Sequence, residues 1–318
     1  MSNLERTPAL ATSTDQPAPP RPEPEVVTAR EVDLGDGLPV RRLLPRRGHT
    51  TIGAWCFVDH FGPLDAAGHD GLRVPPHPHT GLQTVTWLLE GTVLHRDSIG
   101  SEQLIRPGQL NLMTAGRGIA HSEESPPDRP PVLHGVQLWT ALPSGSDQVD
   151  PAFEHLAELP QASTGGMRLT VLLGELLGAV SPASTYSPVV GADVAIEAAT
   201  DDDLPLRPDF EYGLLALSGQ AAVDGATVGP GRLAYLPPGH DHVAVRTTGP
   251  ARLLLLGGAP FGEPIVMWWN FVAHTFEEIA QAHADWEASS DRFGQVHGYP
   301  HGPRLAVPPL PLGRLRPR

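Results

Sequence analysis

Glycine and proline break this chain at intervals that leave room for strands and little room for long helices. The 318 residues include 34 Gly and 36 Pro, set between short runs of β-branched, aromatic and leucine side chains. Trp55–Phe61 is apolar and β-favouring, and Leu82–Leu89 is followed by the Glu90-Gly91 turn and then by Val93–Asp97. Leu104-Ile105, the Pro107-Gly108 turn, Leu110–Thr114 and Val132–Thr140 complete a first block from about Val26 to Leu142. Turn-punctuated strands at this spacing predict an all-β sandwich or barrel.

A second block, from Leu169 to about Ala259, repeats that grammar. Leu214–Leu217 with Ser218-Gly219 parallels Leu88-Leu89 with Glu90-Gly91, and Pro230-Gly231 before Leu233–Leu236 parallels Pro107-Gly108 before Leu110–Met113. The same turn chemistry also arises in unrelated β domains, so an internal repeat and two independent β domains both stay open on this ground. The stretch between the blocks is rich in Gly, Pro and Ser and reads as a linker, with a helical turn near Phe153–Leu159. After an apolar strand, Ile265–Val272, Thr275 and Glu278 form a capping box that opens the one clear helix. Phe276, Ile279, Ala280, His283 and Ala284 share one of its faces. The expected organisation is a disordered tail (1–24), a first domain (25–142), a linker (143–166), a second domain with the helix (167–296) and an irregular C-terminal tail (297–318).

Charge and residue usage exclude several functions. The formal net charge is −14, which repels a phosphate backbone unless cations cluster. The Arg residues are scattered, with modest groups at Arg41, Arg42, Arg46 and Arg47 and at Arg314, Arg316 and Arg318, so direct nucleic-acid binding is not expected. There is no Lys, which excludes a Schiff-base lysine and a phosphate-loop lysine. Cys56 is the only cysteine, so neither an internal disulfide nor a thiolate-rich zinc site can form. It lies in an apolar strand and reads as an inert core thiol. Residues 1–24 carry no signal-peptide pattern and no stretch approaches the ~20 apolar residues of a membrane span. A soluble cytoplasmic protein, expected to be a monomer, follows.

Two short segments carry coordination chemistry: His77-Pro78-His79 and His121-Ser122-Glu123. Side chains two apart on an extended chain point to the same side. Should the two strands pair, three imidazoles and one carboxylate converge, a set that suits Fe, Mn, Ni, Cu or Zn. From the first segment alone, a proline- and histidine-rich surface loop reads equally well. His240 and His242 repeat the spacing but lack a partner pair, because Phe210–Leu217, taken as the equivalent strand, offers no His. His95, His134, His274, His283 and His297 read as core or surface histidines, Glu90 as a solvated turn residue, and Trp268-Trp269 as strand packing.

The stretch His77–Gly91 (HPHTGLQTVTWLLEG), with Pro107-Gly108 and Met113–Glu123 (MTAGRGIAHSE), resembles the pirin family. The similarity runs upstream to Phe57–Pro63 and downstream to Phe261–Ile265 and the helix Thr275–Ala282, covering nearly all of the chain after the tail. It implies two tandem cupin (double-stranded β-helix, jelly-roll) barrels with a C-terminal helix. It also implies a metal, Fe2+, on His77, His79, His121 and Glu123 of the first barrel, and a second barrel normally without metal. Many pirins carry Glu where this chain has Gln83.

The resemblance further implies quercetin 2,3-dioxygenase activity. A flavonol's 3-hydroxyl and 4-carbonyl would chelate the metal, and Glu123 would act as general base. Its alternative implication is an iron-dependent, redox-sensing regulator that binds a protein partner.

Overall fold

The computed structural model describes residues 22–33, 39–65, 71–311 and 313. Most of the expected tail and the cluster of Arg314, Arg316 and Arg318 lie outside the described residues. Over the described residues the chain is all-β with one C-terminal α-helix, in two tandem cupin barrels. Each half pairs a seven-stranded sheet with a four-stranded one, and every strand pair in them is antiparallel.

In the first half the large sheet runs Ala152–Leu156, Leu110–Thr114, Leu82–Glu90, Val132–Ala141, Trp55–Asp65, Pro39–Leu44, Arg30–Asp33. Its small sheet runs Arg73–His79, Ile119–Glu124, Val93–Asp97, Glu102–Ile105. The second half repeats this topology. Its small sheet runs Thr200–Pro205, His242–Thr247, Ala221–Val223, Ala226–Val228. The Gly-turn and Pro-Gly parallel therefore reflects a repeated unit of structure. The counterpart of Arg73–His79 is Thr200–Pro205, however, and not Phe210–Leu217, which matches Leu82–Glu90. Where the first barrel carries its histidines, the second is filled by Leu204, Val223, Val243 and Val245, all fully buried.

Alternation fixes which face of each strand turns inward. In Met167–Leu173, Met167, Leu169 and Val171 are buried while Arg168 is exposed. The two large sheets pack on each other through Trp55, Val58, Trp87 and Leu138 of the first and Leu172, Leu215 and Leu254 of the second. Trp55 anchors this seam: its indole N–H donates to the carbonyls of Val190 (3.0 Å) and Gly257 (3.2 Å). Gly191 permits the approach, since a Cβ there would lie 2.9 Å from Trp55 Cζ2.

Four elements differ from the local pattern. Phe153–Leu159 is not a helical turn: Ala152–Leu156 is a strand paired with Leu110–Thr114, where edge pairing overrides the helix-forming Ala, Glu and Leu. Ile265–Val272 is not one strand but part of a hairpin, Val266–Trp268 and Phe271–Ala273, with Trp269-Asn270 at its turn. Glu25–Thr28 joins the second half's large sheet beside Arg232–Leu236. The helix spans Phe276–Glu287, and its buried face is Ile279, Ala282 and Trp286, not the expected stripe through Ala280 and Ala284, of which Ala284 is exposed. The capping box forms as expected, with Glu278 N–H donating to Thr275 Oγ1 and Thr275 N–H to Glu278 Oε2.

Residues 297–311 lack regular secondary structure, as expected, but cross back to the first barrel. Leu305 N–H donates to Pro76 carbonyl (2.8 Å), and Trp286 Nε1–H donates to Leu305 carbonyl (2.9 Å).

Candidate metal centre

The strands Arg73–His79 and Ile119–Glu124 pair with His121 directly opposite His77 and Ile119 opposite His79. That register puts the rings of His77, His79 and His121 on one inner face, each buried. One nitrogen of each lies within 4.8 Å of the others. His79 Nε2 and His121 Nε2 are 3.0 Å apart.

Burial keeps these rings neutral. It pushes His77 down to about 4 and holds His79 and His121 well below the usual imidazole range, with the neighbouring rings adding to the effect. His77 Nδ1–H donates to Pro75 carbonyl (2.8 Å), which leaves its Nε2 as the lone-pair nitrogen. Neutral, buried, converging lone pairs are the donor set a divalent cation needs, and these residues can hold one.

Glu123 is displaced from the ideal alternation. A register shift between His121 and Glu123 places it opposite Val74 on one side and opposite His95 on the other. Its carboxylate groups within 4.8 Å with His95 and His121, rather than with the three-histidine set. Burial pushes its pKa up. The Thr86 hydroxyl donates to Gln137 Oε1 (2.9 Å) and lies 3.4 Å from Glu123 Oε1.

His95, which reads in sequence as a core or surface histidine, is buried beside this site and groups with His121 and Glu123. Its Nδ1 lies 3.3 Å from His121 Nδ1 and its Nε2 3.1 Å from Asp97 Oδ2. Burial alone would raise Asp97, but hydrogen bonds from His95 and Ser101 outweigh it and hold the carboxyl below the usual range. The alternation of Val93, His95 and Asp97, all buried, against Leu94 and Arg96 was the available signal.

A cavity of about 470 Å³ opens onto His77, His79, His121 and Glu123, within the range of small-molecule sites. Phe57 and Trp139, stacked at 3.9 Å, line it together with Phe61, Leu72 and Val74. The polar side of its wall carries Gln137 and the ion pair of Arg42 and Asp59, two contacts of 2.7 Å. Trp269, Asn270 and Leu305 complete the lining. Trp269 thus faces the cavity from a hairpin turn instead of packing within a strand. Gly81 brings that hairpin close: at φ +67°, its missing Cβ would lie 2.2 Å from Val272 carbonyl.

The other residues stand apart. His240 is buried and hydrogen-bonded to the carbonyls of Pro237 and Pro22, while His242 is partly exposed beside Asp241. His60 and His134 form a separate buried pair, Nε2 to Nε2 at 2.9 Å. Among the described residues, both groups of three or more candidate ligands lie in the first barrel. Gln83 contacts Thr114, Thr140 and Ser184, away from the imidazoles. Cys56 is buried and its thiol is pushed up to about 12 by burial. Among the described residues, no helix is long and apolar enough to cross a membrane.

The family profile described as Pirin matches residues 37–140, and the Pirin C-terminal cupin domain matches residues 191–294. A Pseudomonas aeruginosa protein bearing the name "putative quercetin 2,3-dioxygenase" is 49% identical over 311 residues, 98% of each chain. Pirin from Homo sapiens is 33% identical over 276 residues, 84% of this chain and 92% of the relative. The crystal structure of quercetin 2,3-dioxygenase from Acinetobacter baumannii matches with a TM-score of 0.89 at 43% identity, covering 93% of this chain and 98% of that one.

Proposed function

The chain belongs to the pirin family, and on that premise we propose that it is an iron-dependent quercetin 2,3-dioxygenase acting on flavonols in the first barrel. The observation that carries this reading is one cavity joining buried imidazoles, a carboxylate and an aromatic wall. His77, His79 and His121, with Glu123 beside them, would hold the ion. Fe2+ is the expected metal, since three imidazoles and a carboxylate suit a redox-active first-row ion.

The bound ion supplies a Lewis acid that lowers the pKa of a chelating hydroxyl and a redox centre for dioxygen. The protein's own groups do the rest. Glu123, made more basic by burial, would accept the proton released from the flavonol 3-hydroxyl. Phe57, Trp139 and Trp269 offer flat apolar surface to a planar polyphenol, and Gln137 with the Arg42–Asp59 pair offers polar contacts to its rim hydroxyls. Leu305 and the Trp269-Asn270 turn form part of the cavity wall.

The test is dioxygen uptake by anaerobically purified, metal-analysed protein mixed with quercetin. Stoichiometric uptake with ring-cleaved product supports the reading. No uptake from iron-loaded protein, with no change in its absorption on adding quercetin anaerobically, refutes it.

A further inference from the structure

His121 offers two nitrogens in opposite directions. Nε2 faces His79, and Nδ1 faces His95 Nδ1 at 3.3 Å. His95 Nε2 in turn reaches Asp97 Oδ2 at 3.1 Å. Asp97 is itself held, its Oδ1 accepting the backbone N–H groups of Ile99 (3.1 Å) and Ser101 (2.9 Å). The three side chains are buried, and the strands place Asp97 opposite His121 and His95 opposite Glu123. Phe153 stacks on the His95 ring at 4.5 Å, so the ring plane is fixed as well.

With one proton on each imidazole, proton counting along this line has one consistent solution. Asp97, ionised, only accepts, so His95 must donate from Nε2 and keep a bare Nδ1. His95 Nδ1 can then only accept, so His121 must carry its proton on Nδ1. That leaves the His121 Nε2 lone pair free on the cavity side. We propose that Asp97 and His95 are positioning residues that set the tautomer and orientation of His121, so that its Nε2 is presented to a divalent cation. This rests on the reading of His121 as a ligand. Such outer hydrogen bonds typically change metal affinity by one or two orders of magnitude.

Asp97→Asn makes the argument sharp because it is nearly isosteric. The two backbone N–H groups keep the amide oxygen on their side, which turns its NH2 toward His95 Nε2. His95 then carries its proton on Nδ1, facing the Nδ1 proton of His121. The conflict is relieved when His121 moves its proton to Nε2, the nitrogen meant for the ion.

The experiment is a competition titration of apo protein with Co2+ against a chromophoric chelator. Asp97→Asn and His95→Phe, the latter keeping the stack on Phe153, should each raise the Kd for Co2+ about 10- to 100-fold. His95→Gln, whose amide oxygen can still accept from His121 Nδ1, should stay close to wild type, and apo melting temperatures identify any variant that misfolds. Wild-type protein that binds no Co2+ overturns the ligand reading itself. Wild-type affinity in both Asp97→Asn and His95→Phe overturns the relay alone, as does His95→Gln weakened as much as His95→Phe. X-ray absorption showing one imidazole fewer on Co2+ in His95→Gln also overturns it, by making His95 a ligand.

Discussion

Replacing Arg42 by Met is expected to make stability fall steeply with rising pH. In the native protein Arg42 Nε and Nη2 each lie 2.7 Å from an Asp59 oxygen, and the Asp59 side chain is 4% exposed. Burial pushes the Asp59 carboxyl up, and Arg42 is foremost among the groups that pull it down. Met keeps the aliphatic stem over the Phe57 ring, on which the guanidinium now sits at 4.4 Å. Without the guanidinium, the folded-state pKa of Asp59 rises further while the unfolded value stays about 3.9. The native state then holds a proton that the unfolded chain releases. Stability is therefore retained at or below the unfolded pKa and lost as pH climbs toward the folded one, at up to about 1.4 kcal/mol per pH unit. The total is bounded by the cost of stranding a buried charge, about 3–5 kcal/mol. Water that reaches the 18%-exposed Arg42 position favours the lower end. Urea unfolding of both proteins at intervals from about pH 4 to pH 7, across the rise from the unfolded pKa, measures the difference directly. The double variant Arg42→Met/Asp59→Asn, lacking the titrating group, should flatten it. A penalty that does not vary with pH, or a slope that survives in the double variant, would show that the pair matters for packing and not for charge.

Three further outcomes follow from the geometry. Glu123→Gln, assayed at saturating iron with metal content measured, should lower the rate of quercetin-dependent dioxygen uptake about 10²- to 10⁴-fold, as expected for loss of a general base; an unchanged rate would remove Glu123 from proton transfer. Gly191→Ala should destabilise the protein by about 1–3 kcal/mol through its clash with Trp55, and Trp55→Phe in the same chain should recover part of that loss in chemical denaturation. Cys56, buried and with its thiol pushed up to about 12, should react with an aromatic disulfide reagent only at the rate of unfolding; fast labelling of native protein would contradict its burial.

What was legible in sequence is what local periodicity and residue chemistry encode. His77, His79 and His121 could be found because extended chain places alternate side chains together and a single cysteine leaves no thiolate set to compete. Glu123 was found as a residue, but its turn toward His95 depends on a register shift set by the pairing strands. His95 sat on an inward-facing position of a short strand, and its role is visible only once Asp97 and His121 are in place. Arg42 and Asp59 lie on neighbouring strands far enough apart in sequence that nothing local links them. The Ala152–Leu156 strand carries helix-favouring residues and is decided by the partner it meets. Trp269 was hidden inside an apolar run whose hairpin turn has no Gly or Pro to announce it.

The crossing of Glu25–Thr28 into the later half has a consequence for synthesis. A ribosome delivers that segment long before Arg232–Leu236 exists, so it must wait while the earlier half assembles around its own strands. Only when the last large sheet emerges can it dock, and Leu305 then returns to the strand that bears His77. Each half is thus latched by an end that belongs to the other. Severing the chain between the halves would leave two fragments, each missing the piece that closes it.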